Sequence, residues 1–233
     1  MKVLCVIPVF NEEKFLKGTI ASIKQHNFGV DKFLFFDSGS TDSSGKILKE
    51  EKYETITLSK NQGIGNILIK GIDYCIKNNF DVITVIHGGN KMDTKDFETV
   101  LSPILKSECD YVYGSRFREN TVTNMPQFRK FSTPLLSNLV SIFYGKTVTD
   151  ATNGFKAYKV NDILQVLPKY NRKWLYGYAF EGFLFGKMLD SNFIGSEVPV
   201  TITYNKSSKH TKIRPFVDYP SIVFPFFLAK LIN

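Results

Sequence analysis

The stretch Lys2-Val3-Leu4-Cys5-Val6-Ile7-Pro8-Val9 is apolar and rich in β-branched residues, and it leads directly into the polar turn Phe10-Asn11-Glu12. Short apolar runs of this kind are typical of buried strands. Asn11 followed by Glu12 is typical of a helix start, with Asn11 as the expected N-cap. A strand that passes at once into a helix is the first half of a βα unit, so this end of the chain predicts an α/β fold.

The same alternation of strand and helix patterns continues along the chain. We expect strands at residues 2–8, 32–37, 54–59, 81–87, 110–114 and 195–204, and helices at residues 12–26, 41–51, 65–78, 93–106, 127–144 and 178–191. Repeated βα units of this size form a mostly parallel sheet flanked by helices. No linker or repeat divides the chain, so we expect a single domain over residues 1–233 that binds ligands beyond the carboxyl ends of its strands.

The basic charge of the chain is concentrated in its second half. The 233 residues include 30 Lys and Arg against 22 Asp and Glu, a formal net charge of +8. Residues 1–115 hold 14 basic and 15 acidic side chains, whereas residues 116–233 hold 16 and 7. Three of the five arginines, Arg116, Arg118 and Arg129, lie within fourteen positions. Because guanidinium groups bind phosphate at two points, the second half indicates a phosphate-bearing partner, while most lysines are expected on a solvated surface.

The cysteines and the chain ends bear on localisation. Cys5, Cys75 and Cys109 are odd in number and lie in apolar runs without paired spacing, as expected of reduced core residues in a cytoplasmic protein.

The first residues lack the long apolar region of a signal peptide. No apolar run reaches the roughly 18 residues of a membrane span. The apolar stretch 219–232 is short and interrupted by prolines, and we expect it to be a surface element.

Three predicted strand ends carry polar groups suited to ligand binding. The first is Pro8 to Glu12, the second is Asp37-Ser38-Gly39-Ser40-Thr41-Asp42, and the third is the loop Asn61-Gln62-Gly63-Ile64-Gly65. The third loop has the glycines that let a backbone approach a phosphate at the positive end of a helix. Taken alone, each of the first two segments is more often simple helix capping, and the glycine pair of the third is a weak signal.

Taken in order, these three segments resemble the nucleotide-sugar-binding half of family 2 glycosyltransferases, which have the GT-A fold. The resemblance continues through Gly114-Ser115-Arg116-Phe117, Asp150-Ala151-Thr152-Asn153-Gly154-Phe155-Lys156-Ala157-Tyr158, Gly177-Tyr178-Ala179-Phe180-Glu181 and Glu197-Val198-Pro199. This second group is similar to the branch with dolichyl-phosphate mannosyltransferase and bacterial polyprenyl-phosphate glycosyltransferases. The resemblance implies one Rossmann-like GT-A domain in which residues 1–115 bind the nucleotide sugar and residues 116–233 bind the acceptor.

The resemblance also implies site residues. Asp37 is expected to contact the nucleotide base, and Pro8 and Glu12 to line the nucleoside pocket. The full set implied for the nucleotide sugar is Pro8, Phe10, Glu12, Asp37, Ser38, Asn61, Gly63, Gly65, His87, Gly88, Gly89 and Lys91. The residues implied for the acceptor are Arg129 and Ser132, which match a basic and hydroxyl pair for lipid phosphate, together with Asp150 and Lys209.

Two residues are expected to be catalytic. Arg116 is implied to lie near the diphosphate or the acceptor, and Glu181 occupies the acidic position near the acceptor. An acceptor phosphate is already ionised near neutral pH and scarcely requires a base, whereas a sugar hydroxyl does require one. Glu181 is the first candidate for that base. A helix-face carboxylate that pairs with a lysine is the alternative interpretation of Glu181.

The chain departs from the family at one position. The family places Asp-x-Asp, or His-Gly-Asp in one branch, after its central strand, and the last carboxylate binds a divalent metal. Here the segment is His87-Gly88-Gly89, and glycine has no side-chain oxygen for Mg²⁺ or Mn²⁺. Three outcomes are open: His87, Asn90 or Asp93 binds the metal in a displaced geometry, Lys91 supplies charge without a metal, or the protein is an inactive nucleotide-sugar-binding relative.

The C-terminal region has two interpretations. The basic segment 206–214 resembles the family's flexible Ser-Lys loop near the acceptor, and with the apolar tail 216–231 it would form a peripheral contact with the cytoplasmic face of a membrane. Alternatively, the tail packs on the domain and the loop is solvated. The expected partners are a nucleotide-diphosphate sugar and a polyprenyl-phosphate or glycan-hydroxyl acceptor. Nucleic acid is not expected, because the basic residues are not interleaved with stacking aromatic residues.

Overall fold

A computed structural model describes residues 1–119, 122–167, 169, 171–204 and 215–232. The strands are β1 Val3–Val9, β2 Lys32–Asp37, β3 Thr55–Thr57, β4 Val82–Val85, β5 Tyr111–Ser115, β6 Val122–Thr123, β7 Lys156–Lys159, β8 Gly195–Pro199 and β9 Ile202–Thr203. The α-helices are α1 Glu13–Gln25, α2 Ser44–Glu50, α3 Ile64–Asn78, α4 Phe97–Leu105, α5 Gln127–Tyr144, α6 Val160–Val166, α7 Ala179–Asp190 and α8 Pro215–Leu231. Two single-turn 3₁₀ helices lie at Thr94–Asp96 and Lys173–Leu175.

Seven strands form the main sheet in the order β3-β2-β1-β4-β7-β5-β8. All neighbouring pairs are parallel except those made by β7, which runs antiparallel to both β4 and β5. The mostly parallel sheet expected from the sequence is therefore confirmed. The sequence patterns missed β7, because the four residues Lys156–Lys159 are too short and too polar to indicate a central strand.

The strand expected at residues 195–204 is two strands in different sheets. β8 pairs with β5 in the main sheet, and β9 pairs with β6 in a separate two-stranded sheet. The break follows Pro199, the last residue of β8, which has no amide hydrogen to extend a ladder. The chain thus leaves the main sheet at Val200, whose amide still donates to the Ser115 carbonyl at 3.1 Å.

Helices cover both faces of the sheet, and the side chains of β1 pack against helices on each face. Leu4 and Val6 belong to the apolar cluster under α3 and α7, whereas Cys5 and Ile7 belong to the cluster under α1 and α4. Alternate side chains of a strand point to opposite faces, so a central strand must be apolar throughout. All three cysteines are buried and unbridged, as expected.

The apolar C-terminal stretch is a packing helix. α8 lies against α7, where Phe226 and Ala229 are buried. A Cβ on Gly186 of α7 would lie 2.7 Å from the Ala229 methyl, so the two helices approach closely because glycine is present. One face of α8 packs on the domain, as in the alternative interpretation of the tail, while Phe224 and Leu231 remain exposed, so residues 219–232 form a helix at the surface of the domain. In the part of the chain that the structure describes, no helix is long and apolar enough to cross a membrane.

Candidate functional site

The topology brings the predicted site segments to one edge of the sheet. The carboxyl ends of β1, β2, β4 and β5 lie there, and β7 begins there because it runs in the opposite direction. The segments that follow or precede these strands are residues 10–12, 37–42, 87–89, 116–118 and 150–155. Because β7 is antiparallel, the segment 150–155 that precedes it lies at this same edge. Before a parallel strand, the segment would lie at the opposite edge.

Hydrogen bonds hold the turn after β2 and join it to the loop before α3. Asp37 is buried and accepts a hydrogen bond from the Ser40 amide at 2.9 Å. The Ser38 hydroxyl donates to Asn61 Oδ1 at 3.3 Å, and the same oxygen accepts from the Gly63 amide at 2.9 Å. The structure therefore brings together Asp37, Ser38 and Asn61, which were predicted to bind the nucleotide.

The glycines of that loop are needed for a different reason from the one expected. The amide of Gly65 donates to the Gly177 carbonyl, and the amide of Asn66 donates to the Tyr176 carbonyl, both at 3.0 Å. A Cβ on Gly65 would lie 1.9 Å from the Leu175 carbonyl oxygen. The start of α3 is thus packed against the segment that leads into α7. These two amides already have acceptors, so the expected phosphate site at this helix end is not formed by them.

Asn11 is likewise not the N-cap of α1. It has a left-handed backbone, with φ of 51°, and its side-chain oxygen accepts from the Thr41 amide at 2.8 Å. Glu12 is the capping position, and its own amide donates to the Ser44 hydroxyl at 2.9 Å. These contacts hold the start of α1 against the turn between β2 and α2, and they fix the position of the Glu12 backbone.

Arg116 and Asp150 form a buried ion pair. Arg116 Nε lies 2.6 Å from Asp150 Oδ2, and Nη2 lies 2.7 Å from Oδ1. Nη2 also donates to the Thr152 hydroxyl at 2.8 Å. Burial opposes the guanidinium charge, but the contacts with Asp150 raise the pKa of Arg116 above its ordinary value. Arg116 and Asp150 thus bind each other, and the catalytic contact expected of Arg116 and the acceptor contact expected of Asp150 stay predictions.

Tyr204 connects this ion pair to the predicted acceptor residues. Its hydroxyl accepts from Arg116 Nη1 at 2.6 Å and lies 3.5 Å from Arg129 Nη1. Ser132 lies three residues after Arg129 on α5, so the two share one helix face. Tyr204 was missed by the sequence analysis, although its position just before the basic segment 206–214 was a signal. Lys209 and that basic segment lie outside the described residues.

His87 and Glu181 converge on Gly154. A Cβ on Gly154 would lie 3.0 Å from His87 Nε2 and 3.4 Å from Glu181 Oε1. Glycine at this position therefore leaves room between an imidazole from the segment after β4 and a carboxylate from α7. Both were predicted site residues, and the structure places them side by side at the strand edge.

Lys156 is a site residue that the sequence analysis did not assign. It is buried on β7, donates to the Ala151 carbonyl at 3.3 Å and lies 4.3 Å from the centre of the Phe185 ring. Burial lowers the pKa of Lys156 to about 8, with Glu181 opposing the shift. Burial raises the pKa of Glu181, and Lys156 opposes that shift. The two side chains line one cavity of about 30 Å³, large enough for about one water molecule.

The segment after β4 has a carboxylate beside its glycines. A Cβ on Gly89 would lie 3.2 Å from Glu12 Oε2, so the Glu12 carboxylate occupies the space into which a side chain at residue 89 would project. Lys91 follows, and its carbonyl accepts from the Thr203 amide of β9 at 2.9 Å. Among the described residues, no three His, Cys, Asp or Glu side chains lie close enough together to hold a metal by themselves.

Similar proteins are known for both the sequence and the fold. A sequence model of the family described as Glycosyl transferase family 2 matches residues 4–167. A UDP-N-acetylglucosamine--dolichyl-phosphate N-acetylglucosaminyltransferase of Methanococcus voltae is 27% identical, and the match covers 87% of this chain and 86% of that protein. An undecaprenyl-phosphate mannosyltransferase of Micrococcus luteus is 24% identical, with 70% and 68% covered.

Solved structures show the same architecture. Glucosyl-3-phosphoglycerate synthase from Mycobacterium tuberculosis, in complex with Mn²⁺, UDP-glucose and phosphoglyceric acid, superposes with a TM-score of 0.72 at 17% identity. The match covers 100% of this chain and 80% of that one. At this identity the likeness establishes the fold, which is the GT-A arrangement expected from the sequence.

Proposed function

The chain belongs to glycosyl transferase family 2, and from this premise we propose that it transfers a sugar from a nucleotide-diphosphate sugar to a polyprenyl phosphate. The observation that carries the proposal is the Arg116–Tyr204–Arg129 contact. It ties the basic and hydroxyl pair of α5 to the strand edge where Asp37, Ser38 and Asn61 lie. Predicted acceptor and donor residues therefore border the same edge.

The named relatives support this acceptor class. The Methanococcus voltae relative is described as acting on dolichyl phosphate and the Micrococcus luteus relative on undecaprenyl phosphate. Both acceptors are polyprenyl phosphates, whereas the two transferred sugars differ. The cationic excess of residues 116–233 is consistent with a phosphate-bearing acceptor. We therefore assign the acceptor class and leave the sugar to experiment.

In the proposed reaction, an acceptor phosphate oxygen attacks the anomeric carbon of the sugar. The bond from that carbon to the donor diphosphate breaks, the electron pair leaves with the nucleoside diphosphate, and the configuration inverts. A phosphate monoester has its second pKa at about 6, so the attacking oxygen carries no proton near neutral pH. Arg129 and Ser132 hold the acceptor phosphate in this scheme.

Glu181 then acts by position and charge rather than as an obligatory base. It lies with His87 around Gly154, and Lys156 opposes its protonation. A glycan hydroxyl acceptor would instead need Glu181 to take a proton. Arg116 and Asp150 serve as positioning residues, because their mutual ion pair fixes Tyr204 and the segment 150–155.

Glu12 is the carboxylate that a divalent cation bound beside Gly89 would meet. Mg²⁺ at nucleotide sites keeps several waters and uses one or two carboxylates together with the substrate phosphates, so a three-residue protein cluster is not required. Glu12 presents a carboxylate where residue 89 has none. When bound, the cation would offset the charge that develops on the leaving diphosphate.

A membrane contact is also proposed, and we place it on α5 rather than on the C-terminal tail. Five large apolar side chains of α5 are solvent-exposed and recur every three or four residues: Phe128, Phe131, Leu135, Leu139 and Ile142. This spacing puts them on one helix face about 21 Å long. An exposed apolar stripe of this size marks an interaction surface. An anionic bilayer is the proposed partner, because this half of the chain is basic and the proposed acceptor is a lipid.

The activity is tested by coupled product formation. Purified protein is incubated in detergent with a short-chain polyprenyl phosphate and, in separate reactions, UDP-N-acetylglucosamine, UDP-glucose or GDP-mannose. We expect one of these donors to yield nucleoside diphosphate and glycosyl polyprenyl phosphate in equal amounts, measured by chromatography and mass spectrometry. Calorimetric binding of a donor without product from any of them would instead identify an inactive nucleotide-sugar-binding relative.

A further inference from the structure

The hydroxyl group of Tyr204 lies between two guanidinium groups that come from different parts of the fold. Arg116 Nη1 donates to the Tyr204 oxygen at 2.6 Å, and Arg129 Nη1 lies 3.5 Å from the same oxygen. The guanidinium carbon of Arg129 also lies 5.8 Å from the centre of the Tyr204 ring, within the range of a cation–π contact. Tyr204 thus joins the end of β5 to the predicted acceptor face of α5.

The hydrogen of this hydroxyl is directed away from Arg116. A tyrosine hydroxyl has one hydrogen to donate and an oxygen that accepts. Because Arg116 donates to the oxygen, the hydrogen points elsewhere. Within the part of the chain that the structure describes, the hydroxyl has Arg116 and Arg129 as its polar neighbours, and a guanidinium group accepts no hydrogen bond. The Tyr204 hydrogen can therefore be donated to a ligand.

Arg116 orients this hydroxyl and makes it a stronger donor. Each guanidinium nitrogen of Arg116 donates a hydrogen bond: Nε to Asp150, Nη2 to Asp150 and Thr152, and Nη1 to Tyr204. The buried ion pair with Asp150 fixes the guanidinium plane and therefore the position of Nη1. A charged donor polarises the hydroxyl that accepts from it, which strengthens the hydrogen bond that this hydroxyl donates in turn. Tyr204 thus presents a polarised O–H group beside Arg129.

Main-chain contacts hold the backbone just before Tyr204. The Thr203 amide of β9 donates to the Lys91 carbonyl at 2.9 Å, and the Thr201 amide donates to the Asp96 carboxylate. β9 is also paired with β6. Lys91 and Asp96 both belong to the segment between β4 and α4. The position of Tyr204 is therefore set by the packing of β9 as well as by the two arginines.

From this geometry we infer that the Tyr204 hydroxyl donates a hydrogen bond to the acceptor phosphate, beside Arg129 and Ser132. The inference rests on the proposed function, because it takes the acceptor phosphate to bind at α5. All three side chains are half-buried, so a phosphate among them is partly shielded from water. Hydrogen bonds to an ionised group are roughly twice as strong as neutral ones, so this donor favours a phosphate over a glycan hydroxyl. Residue 204 lies outside residues 4–167, which the family model matches, and its role comes from this chain's own contacts.

Tyr204→Phe tests the inference, because it removes the hydroxyl and keeps the ring against Arg129. Farnesyl phosphate in detergent is titrated by calorimetry into the folded, full-length chain. We expect Tyr204→Phe to weaken its binding by about tenfold, as for the loss of one hydrogen bond to a charged group, and to leave the KM for the sugar donor unchanged. Tyr74→Phe is the matched control, because the Tyr74 hydroxyl donates to Glu54 at 2.8 Å on an exposed surface, and it should bind like the wild type.

A second background separates a direct hydrogen bond from a role in positioning Arg129. Arg129→Lys keeps the positive charge but removes the guanidinium group that contacts Tyr204. A direct hydrogen bond predicts that adding Tyr204→Phe to Arg129→Lys weakens binding several-fold more, whereas a positioning role predicts no further loss. No further loss, or unchanged binding in Tyr204→Phe by itself, would overturn the inference alone. A folded wild type that neither binds farnesyl phosphate nor glycosylates it with any donor would overturn the proposed function as well.

Discussion

Arg116 and Asp150 form a two-point ion pair in which both side chains are almost completely buried, 4% and 0% exposed. Removing one partner of such a pair leaves an uncompensated buried charge, which typically costs about 3–5 kcal/mol. Asp150 also accepts from the Arg116 amide at 3.1 Å, so the end of β5 depends on the same carboxylate.

Asp150→Ala is therefore expected to lower the free energy of unfolding by about 3 kcal/mol or more. Urea denaturation followed by circular dichroism measures the change. Glu50→Ala is the control, because the exposed Lys46–Glu50 pair is 3.9 Å apart and such pairs contribute about 0–1 kcal/mol. Equal losses in the two variants would contradict the structural role of the buried pair.

Lys156→Met is expected to change the pH dependence of activity. The Lys156 ammonium opposes the upward shift that burial imposes on the pKa of Glu181, so its removal raises that pKa further. Tyr158 and His87 also face Glu181 and are present in both the wild type and the variant. The acidic limb of the kcat/KM profile, where the Glu181 carboxylate takes up a proton, should therefore move to higher pH. Lys159→Met on the same strand, where Lys159 pairs with Asp110, should leave the limb in place.

Lys156 should also affect stability as a function of pH. Its folded pKa of about 8 lies below its ordinary value of 10.5, so the unfolded chain binds more protons between these two pH values. Stability from this group therefore rises as the pH increases from about 8 towards 10.5. The free energies of unfolding of the wild type and of Lys156→Met are measured by urea denaturation at pH 7.5 and pH 10. The wild-type value minus the variant value should be larger at pH 10 than at pH 7.5.

Gly65→Ala tests the close approach of α3 to the segment before α7. An alanine Cβ would lie 1.9 Å from the Leu175 carbonyl oxygen, a backbone atom that cannot move without shifting the chain. We expect a loss of about 3 kcal/mol, visible as a lower thermal midpoint. Gly177→Ala is the matched control because, apart from its chain neighbours, none of the described residues has a heavy atom within 4 Å of the added Cβ. A thermal midpoint for Gly65→Ala equal to that of the wild type would show that α3 does not approach the Leu175 carbonyl this closely.

Arg129→Gln tests the acceptor site. Loss of the guanidinium should raise the KM for detergent-solubilised polyprenyl phosphate by about tenfold or more, since charge-assisted bonds to phosphate are the strong ones. The KM for the donor should change little. Lys130→Gln removes the neighbouring, exposed charge and should leave the acceptor KM within about twofold. Equal effects of both variants would indicate general electrostatic attraction rather than a defined phosphate site.

Phe131→Ser with Ile142→Ser tests the membrane contact of α5. These side chains are 76% and 80% exposed, so the folded state should lose little stability. Co-flotation with vesicles that contain anionic phospholipid should decrease several-fold relative to the wild type. Phe28→Ser, at an exposed phenylalanine elsewhere, should float like the wild type. Undiminished flotation of the double variant would place the membrane contact on another surface.

The fold class could be predicted from the sequence because it depends on local patterns. Apolar runs such as Val3–Val9 are buried on both faces, and polar turns follow them, so the pattern alone predicts parallel strands flanked by helices. The order of the motifs predicted the family as well. The short, polar strand β7 carries no such pattern, and it was therefore missed.

The sequence by itself determined the α/β fold and the ends of β1, β2, β4 and β5, where many of the site residues lie. Only the tertiary structure decided which of these residues meet. Glu12 lies against Gly89, Arg116 binds Asp150, and Lys156 and Glu181 line one cavity. The physical reason is that these contacts join residues distant in sequence, and their geometry depends on how β7, α1 and α7 pack, which no local pattern encodes.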